Sequence, residues 1–140
     1  MSSPTQLSLA LLRRSGYLAE VTEHYVNIPD ADDPMRIVDK FKRDLFHCVD
    51  ILAIKKGTTL AVQTTTSANV AARMNKIRCL MEFDWIKLAG WRLEVHGWEM
   101  SGGRWGVRVV DMSTELTDYN TILRAGRHGA KRLRTQQPLF

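Results

Sequence analysis

The stretch Cys48 to Ser67 constrains this chain more than any other. Cys48 to Ile54 is a short apolar run rich in β-branched residues, the pattern of a strand buried on both faces. Lys55-Lys56-Gly57 is a turn signal, and Thr59 to Val62 resumes the strand pattern up to Gln63, so the stretch predicts a β-hairpin. Asp50 interrupts the first run. An unpaired buried carboxylate costs several kcal/mol or takes up a proton, so an Asp here calls for a cation, a cluster of donors or water beside it.

The flanking patterns build a layered domain around that hairpin. Leu7, Leu9, Leu11 and Leu12, with Pro4 near the start, Arg13-Arg14 in the last turn and Gly16 as the stop, predict a first helix that covers the sheet. Tyr17 to Ile28 reads as one strand whose alternation weakens after Glu23. Pro29 to Pro34, with Asp30, Asp32 and Asp33, reads as a loop, and Met35 to Phe46 as an extended or partly helical connection. After the hairpin, Ser67 or Asn69 caps a helix whose stripe is Val70, Met74, Ile77 and Met81, followed by a helical segment over 82–89 that ends at Gly90. Trp91 to Met100 and Arg104 to Met112 predict a second hairpin around Ser101-Gly102-Gly103, and Thr114 opens a last helix through about Ala125. The expected order is αβββα(α)ββα, an α/β domain with a mixed central sheet flanked by helices.

Composition narrows the classes. At 140 residues one domain suffices, able to bury roughly 68–70% of its unfolded surface. No apolar run approaches a membrane span, and Met-Ser-Ser-Pro-Thr lacks the regions of a signal peptide, so a cytoplasmic protein with no membrane partner is expected. Cys48 and Cys79 lack zinc-type spacing and read as packed thiols. The net charge of +5 is unevenly placed. Residues 1–118 form a neutral body, while 119–140 carry Arg124, Arg127, Lys131, Arg132 and Arg134 and no acid. That tail reads either as a phosphate-binding arm or as a solubilising end.

Several of these pieces, in order and at matching spacing, resemble a family. Helix, strand, a strand with a central Asp, a tight turn and a strand ending in an acid or amide resemble the core of the PD-(D/E)XK nuclease superfamily, the restriction endonuclease-like fold shared with Holliday junction resolvases. The runs Arg43-Asp44-Leu45-Phe46, Val49-Asp50-Ile51-Leu52-Ala53, Ala61-Val62-Gln63-Thr64-Thr65 and Asn69 to Ile77 are similar to a phage and prophage group of such proteins. The resemblance covers roughly residues 5–100. It implies a DNA-cleaving enzyme dependent on Mg²⁺ or Mn²⁺, working in the host cytoplasm if phage-encoded, and dimeric as many such nucleases are.

Carried over by position, Asp50 is the metal ligand, Gln63 takes the second acidic position thirteen residues on, and the Thr64 carbonyl is a third ligand. Glu23 stands in for an absent first-helix glutamate, whose nearest counterpart is Gln6. The lysine expected two positions after Gln63 is Thr65, and Arg73 or Lys76 on the next helix is the expected replacement cation. Asn69, Arg73 and Lys76 are expected to face nucleic acid, as are the basic residues of the tail. The chemistry fits these residue types: Mg²⁺ takes one or two carboxylates with waters and substrate oxygens, and a nearby ammonium orients water or phosphate. The residues also admit two other readings. Asp50 can be structural, capping backbone amides or paired with Arg43 or Lys76, and the fold can be a catalytically degenerate module that only holds nucleic acid or protein.

Overall fold

The computed structural model describes residues 2–115. These form a mixed α/β domain with three helices, a five-stranded mixed sheet and a separate two-stranded hairpin. Helix α1 spans Pro4–Arg14, its N-terminus capped by Ser3, whose hydroxyl accepts from the Gln6 amide. Strands follow at Leu18–Val21 (β1), His24–Pro29 (β2), Ile37–Arg43 (β3), Ile51–Lys55 (β4) and Thr58–Thr66 (β5). A 3₁₀ turn over Ser67–Asn69 leads into α2 (Val70–Arg78) and α3 (Met81–Leu88), and β6 (Arg92–Ser101) and β7 (Arg104–Asp111) close the described chain. Among the described residues no helix is long and apolar enough to cross a membrane.

The main sheet runs β1-β4-β5-β6-β7, with β5 and β6 parallel and the other neighbours antiparallel. A parallel pair needs a crossover, which α2 and α3 supply. Alternation along β5 explains why both faces are covered. Leu60 and Val62 pack with Ile51, Ala53 and Ala19 beneath Leu9 and Leu12 of α1, while Ala61 packs with Val95, Leu93, Val70, Ile77 and Phe83 beneath α2 and α3. The expected hairpin with helices on both sides is present.

The stated strand order is matched only loosely. The run Tyr17 to Ile28 divides at Thr22-Glu23 into β1, which joins the main sheet, and β2, which leaves it. The Met35 to Phe46 stretch contains strand β3, paired antiparallel with β2 from His24↔Arg43 to Pro29↔Ile37. This hairpin was illegible locally because β3, Ile-Val-Asp-Lys-Phe-Lys-Arg, is exposed at every position and so carries no core-driven alternation. Met81 belongs to α3 rather than to the stripe of α2, and neither Ser67 nor Asn69 makes a side-chain cap on α2. Thr114 lies in a turn, and the rest of the expected last helix lies outside the described residues. Of the four tryptophans, only Trp98 is buried, its indole N–H donating to Ser8 Oγ, while Trp85 is half exposed. His96 is buried and hydrogen-bonded to Ser8 through Nδ1.

Candidate active site: a carboxylate cluster at a strand junction

The site forms where four pairings run out together. The β1–β4 register ends at Val21↔Ile51, so the next facing positions are Thr22 and Asp50, and the Thr22 amide does donate to the Asp50 carbonyl at 2.8 Å. The β4–β5 register ends at Ile51↔Val62, which puts Gln63 opposite Asp50. The β2–β3 register ends at His24↔Arg43, which puts Glu23 opposite Asp44. A lone bridge, Leu45↔Val49, closes the loop between β3 and β4 and sets Asp44 opposite Asp50. Cross-strand neighbours lie about 4.5–5.5 Å apart at Cβ, so these registers alone bring Glu23, Asp44, Asp50 and Gln63 together.

The loop between the two aspartates is held in an uncommon conformation. Phe46 and His47 both have positive φ, 53° and 62°, in the left-handed region that costs non-glycine residues roughly 1–2 kcal/mol each. Phe46 packs against Trp91, ring centroids 6.1 Å apart, and the Val49 amide donates to the Leu45 carbonyl. Cys48, inside the same loop, is fully buried, and burial pushes its thiol up to about 12, which leaves it a packing residue without nucleophilic character.

Asp50 is 4% exposed. One of its oxygens, Oδ2, accepts three hydrogen bonds: Gln63 Nε2 at 2.6 Å, the Thr64 amide at 2.8 Å and Thr64 Oγ1 at 3.0 Å. The backbone-capping role is therefore real, and it fixes the carboxylate through Oδ2. A carboxylate oxygen of each of Glu23, Asp44 and Asp50 lies within 4.8 Å of the others. Burial, with the like charges of Asp44 and Glu23, raises Asp50 to about 7 even against the Thr64 amide bond that lowers it. Lys42 Nζ meets Glu23 Oε1 at 2.9 Å, and that hydrogen bond holds the lysine pKa above its ordinary value, so it is an ammonium.

These groups line a cavity of about 360 Å³, together with Ser3, Pro4 and Thr5 at the start of α1, Thr65, Thr66 and Arg73. Of the residues singled out from sequence, Asp50, Gln63, Thr64, Glu23 and Arg73 line it; Lys76 and Asn69 do not, and the Asn69 amide donates instead to Thr66 Oγ1. Thr64 contributes its amide and hydroxyl to Asp50, and its hydroxyl also meets Thr5 Oγ1 at 2.8 Å. Glu23 sits between β1 and β2 rather than within a strand. Arg124, Arg127, Lys131, Arg132 and Arg134 lie outside the described residues.

Sequence reasoning missed two members. Asp44 stood in a matched run but was assigned no ligand role, and Lys42 fell in the stretch read as a connection. The signal for both is the β2–β3 register, which no local pattern announces.

The donor set suits a hard divalent cation. Three carboxylates converge, and Gln63 Oε1, on a side chain 2% exposed, is buried with no hydrogen-bond partner among the described residues. Carboxylates and an orphaned carbonyl oxygen lining one cavity are the kind of ligands that Mg²⁺ and Mn²⁺ take. No protein-family model, curated protein or solved structure matches the chain.

Proposed function

We propose that this protein is a metal-dependent nuclease that hydrolyses DNA phosphodiester bonds at the Glu23–Asp44–Asp50 cluster. The observation that carries the reading is the convergence of three carboxylates, their oxygens within 4.8 Å of one another, in a cavity also lined by Gln63, whose Oε1 is buried without a partner among the described residues. Asp50 and Asp44 would hold the cation, with Glu23 and Gln63 Oε1 completing the protein ligands. Mg²⁺ or Mn²⁺ held there would supply Lewis acidity toward water and the phosphate.

The chain's own residues divide the remaining work. Gln63 and Thr64 orient Asp50 through its Oδ2, so that the ligand atom is fixed before anything binds. Lys42 and Arg73, both in the cavity lining, are the cations that receive the phosphodiester oxygens, with the first turn of α1 adding its amide dipoles. Lys42 thus supplies the ammonium that Thr65 cannot. Because Glu23 keeps it protonated, Lys42 orients water or phosphate as a cation and does not act as a base. Asp50, raised to about 7, holds its proton through neutral pH, and a cation would need its carboxylate ionised, so affinity for metal should rise as the pH climbs through that value.

The test is a pair of measurements on the full chain. Calorimetric titration with Mg²⁺ and Mn²⁺ should give binding accompanied by proton release near pH 7. Incubation with branched, linear and single-stranded DNA should give cleavage that chelator abolishes. Metal binding without cleavage of any DNA form would leave a degenerate binding module. Absence of both would end the nuclease reading.

A further inference from the structure

The β2–β3 hairpin carries the second observation of consequence. Among the described residues it leaves the main sheet, pairs only with itself, and has every strand residue exposed except the half-buried Val26. A lone two-stranded hairpin is marginally stable in water, and this one presents Phe41 and Ile28 at 48% and 39% exposure.

Its two faces differ. Residues directly opposite share a face, and alternate residues along a strand share a face. The pairs His24↔Arg43, Val26↔Phe41 and Ile28↔Asp39 therefore make three rows on one side, while Tyr25↔Lys42 and Asn27↔Lys40 lie on the other, from which Lys42 reaches the acidic cavity. The three-row face has a built-in polarity. Its stem end carries the cation Arg43, its middle row is apolar, and its tip end carries the anion Asp39. Arg43 has no hydrogen bond or ion pair among the described residues, and Asp39 spends only one oxygen, on the Lys40 amide.

A surface with plus, apolar and minus rows in a line is complementary to itself turned by a half-rotation. We propose that two copies of this chain pair through that face, with Val26 and Phe41 meeting at the two-fold axis and each Arg43 set against the partner's Asp39. Such an isologous contact closes after two copies, since each row is matched by the other copy's opposite row. It covers the apolar row and leaves the Lys42 face and its cavity open. With six residues per copy, the face is smaller than the roughly 800 Å² per partner of a standard interface, so the dimer is weak and concentration-dependent.

The experiment is sedimentation velocity on the full chain, from about 1 to 200 µM, without DNA or divalent metal. It therefore stands or falls separately from the nuclease reading. Wild type should pass from monomer to dimer across this range. Asp39→Arg and Arg43→Asp, each placing like charges at both symmetry-related contacts, should each weaken the dimer roughly tenfold or more. An equimolar mixture of the two variants should recover it, because every contact is again between opposite charges. Phe41→Ser, with its circular dichroism spectrum retained, should lower association without recovery in any mixture. A wild type monomeric throughout, single variants as dimeric as wild type, or a mixture no better than its components would each overturn the proposal.

Discussion

Asp50→Asn is the sharpest perturbation of the carboxylate cluster, because its effect on stability has a sign opposite to that of most buried substitutions. The native environment raises the Asp50 pKa from 3.8 to about 7. At 1.36 kcal/mol per pH unit, that interval corresponds to about 4 kcal/mol by which the ionised carboxylate burdens the folded state. The group holds its proton more tightly when folded, so the burden is absent below about pH 4, grows as the pH rises toward 7 and is complete above it. A carboxamide at this position keeps an acceptor for the Thr64 amide and hydroxyl and turns a donor toward Asp44, so little hydrogen bonding is lost. Discounting for relaxation around the buried charge, the variant should be more stable than wild type by roughly 2–4 kcal/mol at pH 8 and about equal to it at pH 4. Urea denaturation at pH 4, 6 and 8 in chelator reads this directly. Adding Mg²⁺ or Mn²⁺ at pH 8 should then stabilise wild type and leave the variant unmoved, since only a ligand that binds the native state raises its stability. Wild-type stability that does not fall between pH 4 and 7, or a variant less stable than wild type at pH 8, would refute the electrostatic account of the cluster.

Gln63→Glu adds a fourth carboxylate beside Asp50; it should lower the melting temperature in chelator and raise it above wild type in saturating Mn²⁺, and equal melts in both conditions would remove Gln63 from the ligand set. Lys42→Gln and Arg73→Gln should each reduce cleavage at saturating DNA by about a hundredfold with metal binding retained, whereas Lys76→Gln, outside the cavity lining, should cut normally. If Lys76→Gln is the one that fails, the assignment of the cavity cations is wrong. Gly97→Ala drives a methyl group into the Val70 γ-methyl and within 3.1 Å of the Ser67 Cα, so thermal unfolding should show a loss of about 1–3 kcal/mol as the turn leading into α2 is pushed off β6.

The central hairpin, its helical covers and the second hairpin were legible because each is written in local periodicity: apolar alternation on β6, the apolar run that becomes β4, and the leucines of α1. Asp50 and Gln63 were legible for a related reason. Polar groups inside buried strand patterns conflict with their surroundings, and both prove to be 4% and 2% exposed at one end of the sheet. What the sequence by itself determined, then, is which segments pack and which two polar side chains the packing traps.

The rest was decided by register. Asp44 and Asp50 are six positions apart, and nothing in Leu-Phe-His-Cys-Val requires Phe46 and His47 to adopt left-handed backbone and close the Leu45↔Val49 bridge. Glu23 and Lys42 meet only because β2 and β3 pair, and that pairing lies on an exposed hairpin whose residues show no buried face for a local pattern to record. Arg73 and Lys76 are three residues apart on α2, yet only Arg73 lines the cavity, a choice made by how that helix sits against β5 and β6. Periodicity reports which face of an element is buried, whereas a site assembled from the ends of four strand pairings depends on long-range partners, and those exist only once the chain has folded.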